Sequence, residues 1–462
     1  MKQKMLFWLL ALGMLWLCGC SFTGKSGENV HNETDAVSVP LEADPGEMVT
    51  DVEVYEETVH NEDENVDIVA DFSFSPHPAK AFVYPCDARA ITMEEIKHWA
   101  SVLYPDAAFY EPATAYSRAE IQEQLEALRE RVADRDALQR EYSGDSQAVD
   151  DYIDYIESLI FALEEAYPSA PEKLKVKKTD WKFHDYEYYD SMSIFSAGDP
   201  AYEALNRSSV FAAEVMVNGY RAGVSAYRRD DGDYLMNSLN FGYTDFNYIE
   251  SVLPKKYISQ DDAKKLAGDV MQKLGFSDWS LESVFYEDPS PVNGHLYESY
   301  YLRYAPVYDG IPSYYYPLTT VKDDDPDAPD YYYQNLTISI VKGMVSQVGW
   351  QSPVEITGEP EAFSLLPTAD IYEKLMAYLK EAYTLRKMRE IEITYDDYTS
   401  ATVYVDNARL EMFRMKDKKS GAFKLIPAWV FTGSIALNGH LVWEDWDLAV
   451  ISAIDGSVMD IN

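Results

Sequence analysis

The chain has 462 residues, 47% of them hydrophobic, which is enough apolar material for about three domain-sized cores. Its 79 acidic and 39 basic residues give a net charge of −40 at pH 7. A field of that sign repels polyanions and argues against a nucleic-acid partner. Only three cysteines are present, too few for a disulfide framework.

The N-terminus carries the pattern of a bacterial lipoprotein signal. Lys2 and Lys4 precede an uncharged run over residues 5–18. The run suits the apolar region of a signal peptide and is shorter than the about 20 residues that a transmembrane helix needs. It ends in Leu17-Cys18-Gly19-Cys20, which resembles a lipobox, and the resemblance implies that Cys20 becomes the lipidated N-terminus. An ordinary signal peptide with incidental cysteines is the alternative.

Cleavage at this point would remove a signal peptide of residues 1–19, including both early lysines, and change the net charge from −40 to −42. Two acyl chains on Cys20 would anchor the protein stably to a membrane. Cys86 would then have no partner, so we expect no intramolecular disulfide. The predicted location is the outer face of the cytoplasmic membrane of a bacterium. Labelled palmitate would mark the lipid anchor.

Residues 20–75 are predicted to form a disordered acidic tether. From Ser21 to Ser75 there are 15 acidic residues against the single Lys25. Such a segment buries too little apolar surface to offset its ordering entropy, and its like charges extend it. We interpret it as a spacer that holds the folded part away from an anionic membrane. A specific acidic interaction tail is the alternative.

Three amphipathic helices, each with a capping-type start, divide the remaining chain. The starts are Thr92-Met93-Glu94-Glu95, Ser259-Gln260-Asp261-Asp262 and Pro367-Thr368-Ala369-Asp370. Each helix is followed by short strands and turn signals. We therefore predict an α+β fold of tandem modules, each with one helix packed on an antiparallel meander sheet. The modules span residues 76–255, 256–360 and 361–462.

Six two-residue turn candidates indicate antiparallel strands. They are Asn218-Gly219, Asp231-Gly232, Asn293-Gly294, Asp309-Gly310, Asn438-Gly439 and Asp455-Gly456. Asn, Asp and Gly adopt positive φ at low cost, as tight hairpin turns require. The stretch Leu336-Thr337-Ile338-Ser339-Ile340 alternates apolar and small polar residues, which is typical of a strand with one face on a core and one in water.

A helical hairpin is predicted as an insertion over residues 117–167 of the first module. Ser117 and Glu120 have the spacing of a capping box, and apolar residues then recur at helical spacing. A second helix runs from about Ser146 to Tyr167, where Pro168 stops it. Because the hairpin lacks the Glu-x-x-His pairs of a di-metal site, we interpret it as a structural arm or a partner surface.

No catalytic or metal-binding motif emerges from the sequence. The seven histidines stand far apart, and no H-E-x-x-H, G-x-S-x-G or phosphate-binding glycine loop is present. Acidic residues are so abundant that spacing alone cannot select a carboxylate pair. We therefore predict no catalytic residue, no cofactor and no metal ligand, and name Cys20 alone as a site, for lipidation.

Two features have a functional and a structural interpretation. Carboxylates alternate over Asp323–Asp330 as Ca²⁺ ligands do, but Ala328 and Gln334 replace the Gly and Glu of an EF-hand loop, so a solvated acidic loop is favoured. Tyrosines could line a groove for glycan or peptide, although Tyr also packs well on strands, which we favour. They cluster at Tyr186, Tyr188 and Tyr189, at Tyr297, Tyr300, Tyr301, Tyr304 and Tyr308, at Tyr314–Tyr316 and at Tyr331–Tyr333.

Residues 252–462 resemble an uncharacterised group of surface lipoproteins from Gram-positive gut anaerobes, which contain a domain of unknown function. The matching stretches are Tyr308–Pro312, Gly343–Pro353, Leu425–Trp429 and Ala453–Ser457. The last three are also similar to the sheet of PepSY-type extracytoplasmic regulatory modules, in which a helix packs on an antiparallel sheet. The resemblance implies location and fold, with Trp429 as a core aromatic, and it supplies no catalytic residue.

These features predict a membrane-anchored extracytoplasmic lipoprotein that binds or senses a ligand or protein in the cell envelope and is not an enzyme. Its partners would be the membrane, through lipid on Cys20, and an unknown envelope protein, peptide or glycan, with no nucleic acid. One alternative is an envelope hydrolase that acts on glycan or peptide through a carboxylate pair. Two buried carboxylates with raised pKa values beside an aromatic pocket would favour it. A Ca²⁺-stabilised scaffold is a third possibility.

Overall fold

A computed structural model describes thirteen stretches of the chain. They are residues 48–50, 53–61, 65–113, 116–142, 145–185, 208–217, 220–229, 237–243, 258–287, 299–315, 333–390, 398–416 and 421–459. Helices occur together with antiparallel and mixed sheets, so the protein is α+β, as predicted. The signal peptide, Cys20 and residues 20–47 of the predicted tether lie outside the described residues.

The elements follow one another along the chain in four groups. The first strands are β1 (Met48–Val49), β2 (Val54–Asn61), β3 (Val66–Ser73), β4 (His77–Pro78) and β5 (Lys80–Ala88). Next come α1 (Met93–Leu103), α2 (Arg118–Ala133), α3 (Arg135–Glu141), α4 (Ser146–Ala166), β6 (His184–Asp185), β7 (Ser208–Val217), β8 (Tyr220–Arg229) and β9 (Ser238–Tyr243). The third group is α5 (Gln260–Leu274), β10 (Trp279–Glu287), β11 (Ser299–Tyr308), β12 (Ile311–Pro312), β13 (Asn335–Val341), β14 (Met344–Gln351), β15 (Val354–Ile356) and β16 (Glu361–Ser364). The last is α6 (Thr368–Ala382), α7 (Leu385–Glu390), β17 (Ala401–Lys416), β18 (Phe423–Leu437), β19 (His440–Ser452) and β20 (Val458–Met459).

The first large sheet is assembled from two stretches of chain that meet edge to edge. Its antiparallel strands follow the order β10-β11-β13-β14-β9-β8-β7-β6, and β12 pairs with the end of β11. Phe241 in β9 lies opposite Val348 in β14. The predicted module boundary at residues 255–256 therefore does not separate two sheets. Helices α1 and α5 contribute to the core on this sheet, where Trp99 stacks on Trp350 with ring centroids 5.6 Å apart.

The second large sheet joins strands from the N-terminal and C-terminal parts of the described chain. Its order is β15-β5-β18-β17-β3-β2, with β16 beside β5, β19 beside β18 and β20 beside β19. Strands β3 and β17 are parallel, so this sheet is mixed and the predicted purely antiparallel meander is wrong here. Its core includes Ile371, Leu375 and Leu379 of α6. The predicted boundary at 360–361 also falls inside this sheet, because β15 and β16 both pair with β5.

The predicted disorder of residues 20–75 is wrong for β2 and β3. In β3, Val66, Ile68, Ala70 and Phe72 alternate with less buried residues and belong to the core. The high acid count concealed this two-residue apolar period, which is the strand signal. The apolar face of β3 is buried because the strand lies between β2 and β17.

The predicted helix starts agree with the observed ones. The Thr92 hydroxyl accepts a hydrogen bond from the Glu95 N–H, and the Glu95 carboxylate accepts one from the Thr92 N–H, which completes a capping box. Ser259 accepts from the Asp262 N–H at the start of α5. Helix α6 begins at the predicted place, but Pro367 has no side chain that can cap it.

Helices α2 and α4 form the predicted helical hairpin, connected through α3. Ser117 and Glu120 make the predicted capping box, and Leu128 packs with Tyr152 in the core between the helices. Helix α4 ends at Ala166, where a 3₁₀ turn through Pro168 follows. Among the described helices, none is long and apolar enough to cross a membrane.

Arg221 in β8 joins this hairpin to the first sheet. Its side chain is 8% exposed, and Nη2 lies 2.9 Å from Glu120 Oε1. Nη1 lies 3.9 Å from Glu214 Oε2 in β7, and the guanidinium packs over the ring of Tyr116 at 4.5 Å. We call Glu120, Glu214 and Arg221 the arm cluster. One buried cation thus contacts the first turn of the arm and a neighbouring strand of the sheet.

Two of the predicted turns have the expected conformation. Asp309-Gly310, with φ of 50° and 80°, links β11 to β12, and Asn438-Gly439, with φ of 49° and 78°, links β18 to β19. At Asp455-Gly456 only the glycine has a positive φ, and the Asp455 carboxylate accepts from the Ser457 N–H. The other three turn candidates lie outside the described residues. Lys342-Gly343 forms a further turn with positive φ at both residues, which was not predicted from the sequence.

Candidate functional site

Charged side chains from both large sheets interact in one place. Glu282 and Arg303 come from β10 and β11 of the first sheet, and Arg409, Glu411 and Asp447 come from β17 and β19 of the second. We call these five residues the acid cluster. It contains three carboxyl groups and two guanidinium groups, and its members are brought together only where the two sheets meet.

The chain after β12 fixes this meeting point. Ser313 forms a parallel bridge with Met412 of β17, and the Tyr314 N–H donates to the Met412 carbonyl at 3.0 Å. Tyr314 is buried, with its ring 5.2 Å from that of Phe413 and 5.1 Å from that of Tyr333. The segment that pairs with the first sheet through β12 is thereby attached to the second sheet as well.

Glu411 is the most buried carboxyl group of the acid cluster. Its side chain is 5% exposed, whereas that of Arg409 is 48% exposed, and Arg409 Nε lies 2.9 Å from Glu411 Oε1. Burial raises the pKa of Glu411 to about 8. Arg409 opposes the shift, and the nearby carboxylates of Glu282 and Asp447 add to it. Glu411 therefore holds a proton at neutral pH.

The pKa values of Asp447 and Glu282 are raised as well. Burial raises the pKa of Asp447, although Tyr314 Oη donates a hydrogen bond to Asp447 Oδ2 at 2.8 Å and the two arginines of the cluster oppose the shift. Burial also raises the pKa of Glu282, against a hydrogen bond from Ser280 and the same two arginines. All three carboxyl groups are thus more readily protonated than in water.

This arrangement has two chemical capacities. Carboxyl groups that differ in protonation can serve as an acid and a base, as glycosidases use them. A cluster of balanced charges can also hold two sheets together without any reaction. Within the acid cluster, the Arg303 guanidinium also packs over the Tyr315 ring at 4.0 Å. In the described stretches, no group of three or more His, Cys, Asp or Glu residues is placed to hold a metal ion.

Of the residues singled out from the sequence, Tyr314 contacts the acid cluster through Asp447, and the others named below are not among its members. Cys20 and the acidic loop Asp323–Asp330 are outside the described residues. Cys86 is buried as a free thiol, and burial raises its pKa to about 11. Tyr300 and Tyr304 belong to the core of the first sheet, and Tyr314 and Tyr333 to a core on the second. These four pack on strands, as we favoured from the sequence.

The acid cluster was not predicted from the sequence, although a signal was present. Glu411 lies in β17 between Leu410 and Met412, and Asp447 directly precedes the buried end of β19. Acidic residues are seldom buried without partners, so one inside an apolar strand marks a special environment. The excess of acid along the whole chain hid this local signal.

The comparisons with known proteins identify no family. No family model and no curated protein matches the chain. One solved structure that it resembles is the crystal structure, at 1.45 Å resolution, of an uncharacterized protein from Eubacterium rectale ATCC 33656. The two chains are 11% identical, the match covers 86% of this chain and 91% of that chain, and the TM-score is 0.35.

Proposed function

We propose that the protein is a lipid-anchored extracytoplasmic lipoprotein that binds or senses a ligand or protein in the cell envelope without catalysing a reaction. The observation that carries this proposal is Leu17-Cys18-Gly19-Cys20 at the end of an uncharged run. Such a cysteine accepts diacylglycerol in the lipoproteins that this stretch resembles. The anchor would hold the folded part at the outer face of the cytoplasmic membrane.

The finer architecture that we propose repeats one plan, a helix followed by a run of antiparallel strands, with the first two runs merged into one sheet and the third extended by β3 and β5. Helix α1 precedes β7–β9, helix α5 precedes β10–β14, and helix α6 precedes β17–β19, which supports a shared plan. The sequence resemblance to PepSY-type regulatory modules points in the same direction. In this proposal the modules supply binding surfaces, and the acid cluster joins two of their sheets.

The burial of Glu411 favours this joining role over catalysis. A side chain that is 5% exposed offers little access to a substrate, and its contact with Arg409 occupies one carboxyl oxygen. Protonation of Glu411 at neutral pH removes one negative charge from a cluster in which carboxyl groups outnumber arginines. Balanced, hydrogen-bonded charges are what buried structural clusters need.

Anchoring is tested by expressing the full chain in a Gram-positive host with labelled palmitate. We expect the wild-type protein to carry label and to remain with the membrane. Cys20→Ala should lose both label and membrane association, while the matched control Cys18→Ala should retain both. Label retained on the Cys20→Ala protein would refute the proposed anchor.

The acid cluster supports a second candidate, an envelope hydrolase that acts on glycan or peptide. Glu411, with a pKa of about 8, would donate the proton, and Asp447 beside Tyr314, in its ionised form, would assist as base or nucleophile. The test is incubation with cell-wall glycan and peptide fragments between pH 5 and pH 8. Product formation that is lost in Glu411→Gln and Asp447→Asn but kept in Glu361→Gln would favour the hydrolase. No product from the wild-type protein would remove it.

A further inference from the structure

We propose that a basic surface cleft beside β5 and the adjoining ends of β17 and β18 binds the phosphate group of a small anionic ligand. The cleft has a volume of about 400 Å³. Its lining includes Cys86, Asp87, Thr357, Lys416, Phe423 and Lys424. Pairing of Phe423 with Cys86 and of Lys424 with Pro85 fixes the strands that form its wall.

The charge of this cleft is opposite to that of the chain as a whole. Among the described residues of the lining, Lys416 and Lys424 contribute two positive charges against the one negative charge of Asp87. The whole chain has a net charge of −40. Clefts with one sign of charge and low-dielectric walls concentrate the field and attract counter-ions. An anion is therefore expected to bind in this positive cleft in preference to the acidic surface around it.

A buried guanidinium group adds positive charge directly behind the wall. The Arg414 residue is 2% exposed, its guanidinium carbon lies 4.4 Å from the centre of the Phe423 ring, and the group hydrogen-bonds the Cys86 thiol. Lys416 Nζ lies 5.5 Å from the centre of the same ring. Salt and water screen a buried charge less than a surface one. The contribution of Arg414 to the electrostatic field in the cleft is therefore screened less than that of the lysines.

The chemistry of the lining suits a phosphate ester of modest size. Two ammonium groups supply charge-assisted donors for phosphate oxygens, and the Thr357 hydroxyl is a further donor. The ring of Phe423 offers an apolar surface to the organic part of the ligand. The volume lies within the range of small-molecule sites, roughly 300 to 1,000 Å³.

This inference names a ligand class for the binding role and rests on that proposed function, but its test does not use the lipid anchor. Absence of phosphate binding by the wild-type chain would refute the cleft and leave the anchoring untouched. Failure of the palmitate experiment would refute the anchor and leave the cleft untouched.

The experiment titrates the purified full chain with inorganic phosphate at constant ionic strength, read by calorimetry and by Tm. We expect saturable binding and a rise in Tm, because a ligand of the native state stabilises it. The double variant Lys416→Ala/Lys424→Ala should bind at least tenfold more weakly, and Lys416→Arg/Lys424→Arg should restore binding. The control is Lys173→Ala/Lys175→Ala, which removes two exposed lysines outside the cleft and should bind like the wild type.

Three results would overturn the proposal. The first is no saturable response of the wild-type chain to phosphate. The second is an equal loss of binding in the control pair, which would indicate general charge attraction. The third is stronger binding of acetate than of phosphate at the same ionic strength, which would assign the cleft to carboxylates.

Discussion

The arm cluster joins the helical hairpin to the first sheet, and the acid cluster joins the first sheet to the second. In each, carboxyl groups outnumber arginines by one, yet the pKa values of Glu120 and Glu411 shift in opposite directions. The pKa of Glu120 is lowered, whereas that of Glu411 is raised to about 8. Composition alone therefore does not decide how a buried ion cluster titrates.

The difference lies in the hydrogen bonds that each carboxylate receives. Burial opposes ionisation of Glu120, but the hydroxyl and backbone N–H of Ser117 and the guanidinium of Arg221 all donate to its carboxylate. Glu411 has Arg409 as its counter-charge and two further carboxyl groups in range, so burial prevails. The number of donors to the ionised form sets the direction of the shift.

The two clusters consequently stabilise the fold in different pH ranges. From about pH 4.5, the ordinary Glu value, up to about pH 8, Glu411 holds a proton in the folded state that the unfolded state releases. Its contribution to the free energy of unfolding therefore falls as pH rises, and Asp447 and Glu282 act in the same sense. Glu120 contributes fully above about pH 4.5 and loses its contribution on acidification through its lowered folded pKa.

The largest effect is expected for Glu411→Gln, which removes the most buried titrating group of the acid cluster and keeps its shape. The wild-type free energy of unfolding should decrease between pH 5 and pH 9. In the variant this decrease should be smaller by roughly 3 to 4 kcal/mol. Urea unfolding across this pH range is the measurement. Glu361→Gln, at an exposed position of β16, is the control. A variant with the same pH slope as the wild type would contradict the assignment.

Arg221→Met breaks the arm cluster while keeping an apolar stem against Tyr116. Two partly buried carboxylates would lose their counter-charge, so we expect a loss of about 2 to 4 kcal/mol at pH 7. The matched control is Arg129→Met, because its 2.6 Å pair with Glu164 is about half exposed and should cost at most about 1 kcal/mol. Denaturant unfolding measures both. Equal losses would show that burial of Arg221 has no special role.

Glu120→Gln isolates the charge of the arm cluster, because Gln retains the capping geometry. We expect a loss of about 1 to 2 kcal/mol at pH 7, and the difference from the wild type should vanish as pH falls and Glu120 is protonated. Stability measured at pH 7 and pH 3 checks the sign. A difference that persists unchanged at pH 3 would refute the electrostatic explanation.

Tyr314→Phe has the smallest expected effect and sharpens the description of the acid cluster. Loss of the 2.8 Å hydrogen bond to Asp447 should cost about 1 kcal/mol and raise the Asp447 pKa further, because the hydroxyl favours the ionised form. An NMR titration of the Asp447 carboxyl group measures the shift. Tyr404→Phe, at an exposed residue, should leave it unchanged. An Asp447 pKa that stays constant or falls in Tyr314→Phe would contradict this role.

Local elements were the most predictable part of the fold. The starts at Thr92, Ser117 and Ser259 follow from side chains that bond to N–H groups three residues ahead. The turns at Asp309-Gly310 and Asn438-Gly439 follow from the low cost of positive φ at these residues. Such interactions span only a few residues and can therefore be predicted without the tertiary structure.

The candidate site was not predictable in the same way. Nothing near Glu411 in the chain indicates that Asp447 and Glu282 share its environment, because they reach it from β19 and β10. The pKa of Glu411 depends on burial, which exists only after both sheets are in place. The assignment of Cys20 as the lipidation site, by contrast, rests entirely on a local sequence pattern, and the lipidation stays a prediction.

By itself the sequence determined the α+β class, the helical arm, the helix starts and two of the hairpin turns, since short-range hydrogen bonds and apolar periodicity specify them. The tertiary structure alone decided that β9 pairs with β14, that β3 lies parallel to β17 and that the strands form two large sheets. It also decided that carboxyl groups from both sheets share one buried environment. Pairing between distant strands and the burial of charge depend on contacts across the whole chain, so no local pattern encodes them.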